Sequence, residues 1–77
     1  MSYARWGKDS YIYLYGSDED TFECDFCLLN NSEITFFYGY DAAIQHVKNH
    51  IAAGHLVPDH TIPLLEKEKA EKERINP

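Results

Sequence analysis

Four residues constrain this chain more than any others. Cys24 and Cys27 have two residues between them, and His46 and His50 follow with three between them. Cys-x-x-Cys forms a tight knuckle that points two thiolates at one centre. His-x-x-x-His on a helix sets two imidazoles about one turn apart on the same face. The mixed sulfur and nitrogen set is that of a closed, four-coordinate structural zinc site. Size makes this decisive. A domain of 77 residues gains only marginal stability from a hydrophobic core, and a bound metal supplies the missing constraint.

The chain around these ligands reads as α+β. Tyr11-Ile12-Tyr13-Leu14-Tyr15 alternates aromatic and aliphatic residues, the period of a strand, with Ile12 and Leu14 expected inside. Residues 16–20 form a turn by composition, and Thr21–Cys24 reads as the returning strand that delivers the first cysteine. Asn30-Asn31-Ser32 marks a loop over Leu28–Glu33, and Ile34–Tyr38 reads as a further strand. Asp41 is expected to N-cap a helix from Ala42 to about Ala53, with Gly54 as its left-handed stop. Ile44, Val47 and Ile51 form the stripe predicted to be buried. A second helix is expected to start between Asp59 and Pro63 and to run to about Arg74. Its apolar face would consist of Ile62, Leu64, Leu65 and Ile75. Residues 1–60 thus form the metal-bearing domain, and residues 61–77 a charged helix, packed on it or frayed.

The ligand set has one rival. His50 and His55 have four residues between them, also an allowed spacing. His55 is therefore the alternative ligand, although Gly54 ends the helix between the two. A redox reading of the cysteines wants a βαβ context, which the pattern lacks.

These residues resemble the two-cysteine, two-histidine zinc finger. That family places an aromatic two positions before the first cysteine, where Phe22 stands. It places another nine positions before the first histidine, where Phe37 stands. Where the family has a core leucine, this chain has Ala43 beside Ile44, and eighteen residues separate Cys27 from His46 instead of twelve. The resemblance covers Phe22 to His50 and favours His46 over His55. It implies a zinc-stabilised ββα domain, here with an extra N-terminal strand and a C-terminal helix. Phe22, Phe37, Ile44, Val47 and Ile51 would pack beside the metal. A looser resemblance spans nearly the whole chain. Met1-Ser2-Tyr3, Tyr-Ile-Tyr-Leu-Tyr-Gly and residues 51–58 look like small zinc-finger-like proteins of phages of actinobacteria. It implies a phage source and carries no mechanism.

Charge weighs against the usual use of such a finger. The formal net charge is −6, and before residue 60 only Arg5, Lys8 and Lys48 face nine acids. The finger's base-reading positions correspond to Gly39, Asp41, Ala42 and Gln45, none of them a cation. Sequence-specific nucleic-acid binding is therefore the secondary expectation. The primary one is a cytoplasmic module that contacts another protein, a host protein if phage-encoded. Its surface would be the tyrosine face of the first strand or the C-terminal helix. No membrane span and no catalytic constellation is legible, so no enzyme is expected.

Overall fold

Residues three apart on a regular strand face opposite sides of a sheet. Cys24 and Cys27 can share a face only if the strand between them is irregular, and the fold is built around that irregularity. The computed structural model describes residues 2–8, 10–16 and 20–75. It is an α+β arrangement of four antiparallel strands and two helices. The strands are β1 (Ser2–Ala4), β2 (Tyr13–Gly16), β3 (Thr21–Cys27) and β4 (Glu33–Tyr38), in the spatial order β1-β2-β3-β4. Helices α1 (Tyr40–Ala52) and α2 (Thr61–Ile75) follow.

Strand β3 runs three residues past its expected end. Cys24 pairs with Thr35 and Cys27 with Glu33, so three steps on β3 match two on β4. This is a β-bulge: one extra residue resets the alternation. Phe26 carries the distortion at φ 47°, a left-handed conformation uncommon for a bulky side chain. Cys27 is thereby returned to the face that Cys24 occupies, and both are buried. The Leu28–Asn30 turn comes next, and Asn31 and Ser32 are both left-handed, at φ 53° and 66°. The Ser32 N–H donates to the Cys27 carbonyl at 2.8 Å, closing the loop.

The sheet holds two strands before β3, where one was expected. The N-terminal lead-in supplies β1, because Tyr3 is buried against Phe22 with ring centroids 5.5 Å apart. Ile12 and Leu14 are buried as their alternation requires, while Tyr13 and Tyr15 occupy the opposite face of the sheet. Tyr11 precedes the strand, its N–H donating to the Leu56 carbonyl at 2.8 Å. Of the turn expected over residues 16–20, Gly16 closes β2, and residues 17–19 lie outside the described residues.

Helix α1 begins two residues earlier than expected. Gly39, at φ 86°, occupies the N-cap position without a side-chain cap. Asp41 is therefore not the cap. It lies in the first turn and pairs with Lys69 of α2 at 2.6 Å. Gly54, at φ 86°, follows the helix as its left-handed stop, as its position suggests. The buried face differs from the predicted stripe. Ala43, Val47 and His50 are buried, Ile44 is half-buried and Ile51 is 50% exposed. Turning His50 inward forces this, since Ile51 lies about 100° further round the helix.

Helix α2 packs on α1 and β1. Leu65 is fully buried, with Ile62 and Leu64 packed against the same core as Leu14, Phe22 and Val47. Thr61 is buried and donates to the Tyr3 carbonyl at 3.2 Å, tying the start of α2 to β1. The side chains of Arg74 and Ile75 lie outside the described residues. Both helices cover one face of the sheet. Among the described residues no helix is long and apolar enough to cross a membrane.

Candidate metal centre

The strand bulge and the helix face meet at one point. Cys24 and Cys27 come from β3, His46 and His50 from α1, and their four ligand atoms lie within 4.8 Å of one another. His50 Nε2 is 3.6 Å from Cys24 Sγ and 3.5 Å from Cys27 Sγ. His46 Nε2 is 3.5 Å from Cys27 Sγ and 3.1 Å from His50 Nε2. A tetrahedral zinc with bonds of about 2.3 Å to sulfur and 2.0–2.1 Å to nitrogen has ligand–ligand edges of roughly 3.3–3.8 Å. These four separations lie at or close to that range, and the remaining pairs lie within 4.8 Å. The donor set therefore fits one small four-coordinate cation.

Protonation equilibria favour the same occupant. Burial pushes the Cys24 thiol well above its usual value, and the neighbouring Cys27 adds to the effect. Burial lowers the pKa of His46. Burial, then the charges of His46 and His55, bring His50 down to about 4. Both imidazoles are held neutral, with lone pairs free to coordinate, while the Cys24 thiol needs a nearby cation in order to ionise. Thr35, the cross-strand partner of Cys24, has its hydroxyl buried without a hydrogen-bond partner among the described residues.

The surroundings hold the imidazoles in place. The Phe37 ring lies 4.7 Å from that of His46, tilted by 31°. Phe37 also stacks on Phe22 at 5.9 Å, and Phe22 meets Tyr40 edge-on at 5.3 Å. Phe22 and Phe37 thus occupy the positions expected from their spacing. Ala43 is fully buried at the position where a leucine was the reference, and Leu65 of α2 enters the same core cluster and supplies aliphatic volume.

His55 takes a different place from the four. Its Nδ1 lies 2.8 Å from His50 Nδ1, the ring nitrogen that does not approach the cysteines. It supports the far side of a candidate ligand. By spacing alone His55 reads only as a rival ligand. The signal for this other role was weak, because it depends on the reversal at Gly54. There the His55 N–H donates to the His50 carbonyl at 2.9 Å.

The two polar residues at the expected base-reading positions are engaged internally. Asp41 pairs with Lys69, and Gln45 donates to Asn49 Oδ1 at 2.9 Å. The chain matches no protein-family model, no curated protein and no solved structure.

Proposed function

We propose that this chain is a small structural-zinc protein in which Cys24, Cys27, His46 and His50 hold one ion and thereby fix a scaffold for contact with another protein. One observation carries the metal reading: four ligand atoms from a strand and a helix converge within 4.8 Å, four of their separations at or close to tetrahedral edges. Four protein donors leave no open position for water, so the ion would serve folding and not catalysis. It would link β3 to α1, the union on which the rest of the core depends. The order of β3, β4 and α1, with cysteines on the strand and histidines on the helix, supports the zinc-finger-like reading of this part of the chain. A phage source remains part of the proposal on the strength of the sequence resemblance alone.

The interaction reading is supported by how the surfaces are used. Ile62, Leu64 and Leu65 of α2 pack in the core, which argues against that helix as the exposed partner surface. The uncovered face of the sheet remains, and it is aromatic and acidic. The overall acidity and the internal pairing of Asp41 and Gln45 argue against duplex DNA as the partner.

Metal analysis of purified protein, with circular dichroism during chelation, tests the scaffold. The expected result is one zinc per chain and loss of structure when it is removed. A Cys24→Ser variant should lose the metal and unfold. A metal-free protein with an unchanged melt overturns the reading.

A further inference from the structure

The outward side chains of the sheet form a surface that neither helix covers; Trp6 packs over one part of it, 5.0 Å from the Tyr13 ring and 5.4 Å from that of Phe26. Across the strands, Tyr15 stands opposite Glu23 and Glu23 opposite Phe36, and in the neighbouring row Tyr13 stands opposite Asp25. Phe36 is 63% exposed, and Tyr38, opposite Thr21, 75%. Rings thus flank a pair of carboxylates in the middle of the sheet. Glu23 and Asp25 lie two residues apart on β3 and so share this face, and the Tyr15 hydroxyl donates to Glu23. Among the described residues no lysine or arginine pairs with either acid; the ion pairs lie at α1 and α2, through Lys69 and Lys72. Asp25 Oδ1 is buried and has no hydrogen-bond partner among the described residues, so a ligand on this face would reach Asp25 through its other oxygen.

We propose that this face binds an arginine-bearing segment of another protein, with the guanidinium seated on the Glu23–Asp25 pair between the rings of Tyr13, Tyr15 and Phe36. The inference rests on the protein-contact reading above and names the partner's chemistry. A guanidinium is planar and forked. It stacks on aromatic faces and donates two parallel hydrogen bonds to carboxylate oxygens, which a lysine ammonium cannot do. The rings supply contact area and the acids fix where the cation sits. Charge complementarity selects against the other occupants. A nucleic acid would bring phosphates onto the carboxylates. A second copy related by a twofold axis would set this acidic patch against itself.

The test titrates the full chain, its metal content and dispersed amide NMR spectrum first recorded on the same sample, with a short peptide alternating arginine and threonine. A control peptide carries citrulline in place of arginine. The arginine peptide is expected to shift the amides of Tyr13, Tyr15, Glu23, Asp25 and Phe36, and to weaken as salt rises. The citrulline peptide, and a Glu23→Gln/Asp25→Asn double variant that keeps its spectrum, should each bind at least about tenfold more weakly. The proposal is overturned if no shift occurs at millimolar arginine peptide, if both peptides act alike, or if the double variant binds like the parent. It is also overturned if the same amides shift with protein concentration alone or with a single-stranded oligonucleotide, which would assign the face to a second copy or to nucleic acid. A zinc-loaded, folded chain that ignores arginine sinks this inference and leaves the zinc reading standing. A folded, metal-free chain that binds arginine does the reverse.

Discussion

His50 and His55 meet Nδ1 to Nδ1 at 2.8 Å, on the side of the His50 ring turned away from the cysteines. One of the two nitrogens must carry the hydrogen between them. With His50 Nε2 given to a metal, His50 Nδ1 holds the proton and His55 accepts it. Partners of this kind fix the tautomer and orientation of a ligating imidazole. His55→Ala should therefore keep the metal and the fold while metal affinity falls about 10–100-fold, read by competition with a chelator. His50→Ala should lose the site outright. Equal losses in the two variants would make His55 a ligand.

Phe26 bears the bulge at φ 47°. A β-branched side chain is strained further in this region, whereas glycine adopts it freely. Phe26→Val should be less stable than Phe26→Gly by about 1–2 kcal/mol, measured by denaturant unfolding of the metal-loaded protein. If valine matches glycine, the strand is not held in this conformation.

Glu68 latches α2 to the sheet. The Tyr3 hydroxyl donates to Glu68 Oε1 at 2.7 Å, and the Tyr40 hydroxyl lies 3.5 Å from the same atom. Glu68→Ala leaves the buried Tyr3 hydroxyl without its acceptor and should cost about 1–2 kcal/mol. Leu65→Ala, which removes a fully buried side chain, should cost about 2–5 kcal/mol. Thermal melts of both variants check this order. Indifference to the loss of Leu65 would mean that α2 does not dock.

Alkaline pH should weaken the fold through three tyrosines. Burial, then Glu68, raises the pKa of Tyr3 above 10, and burial with the nearby Glu68 also raises that of Tyr40. The hydrogen bond to Glu23 pushes Tyr15 up to about 12. A raised folded value means that the unfolded chain gives up its proton first. The contribution is intact below pH 10 and is lost as pH rises beyond it. Tyrosinate absorbance of the folded protein should lag that of free tyrosine. A titration of all six tyrosines at the free value would contradict these contacts.

Several features are local and were legible in the order of residues. The Cys-x-x-Cys and His-x-x-x-His spacings, the alternation that buries Ile12 and Leu14, the Phe22 and Phe37 registers and the stop at Gly54 are short-range patterns. They survive folding because strand and helix periods act on neighbours. The four candidate ligands come together as their spacing implies, 22 residues apart from Cys24 to His46. What periodicity misplaced was the exact face of α1. Ile51 is aliphatic and looked internal, yet turning His46 and His50 toward the cysteines rotates it outward.

The sequence by itself determined which residues would form the candidate metal site and which elements would carry them. Tertiary structure decided the rest, because those features arise between segments distant along the chain. A seven-residue β3 paired with β4 makes room for the bulge that puts Cys27 beside Cys24. Docking of α2 through Leu65 and Glu68 made a charged segment that could have frayed into part of the core, and Lys69 of α2 pairs with Asp41 in the first turn of α1. Covering one sheet face with both helices left Tyr13, Tyr15, Glu23, Asp25 and Phe36 together on the other. A strand pattern tells which residues share a face; only packing tells which face the helices leave uncovered.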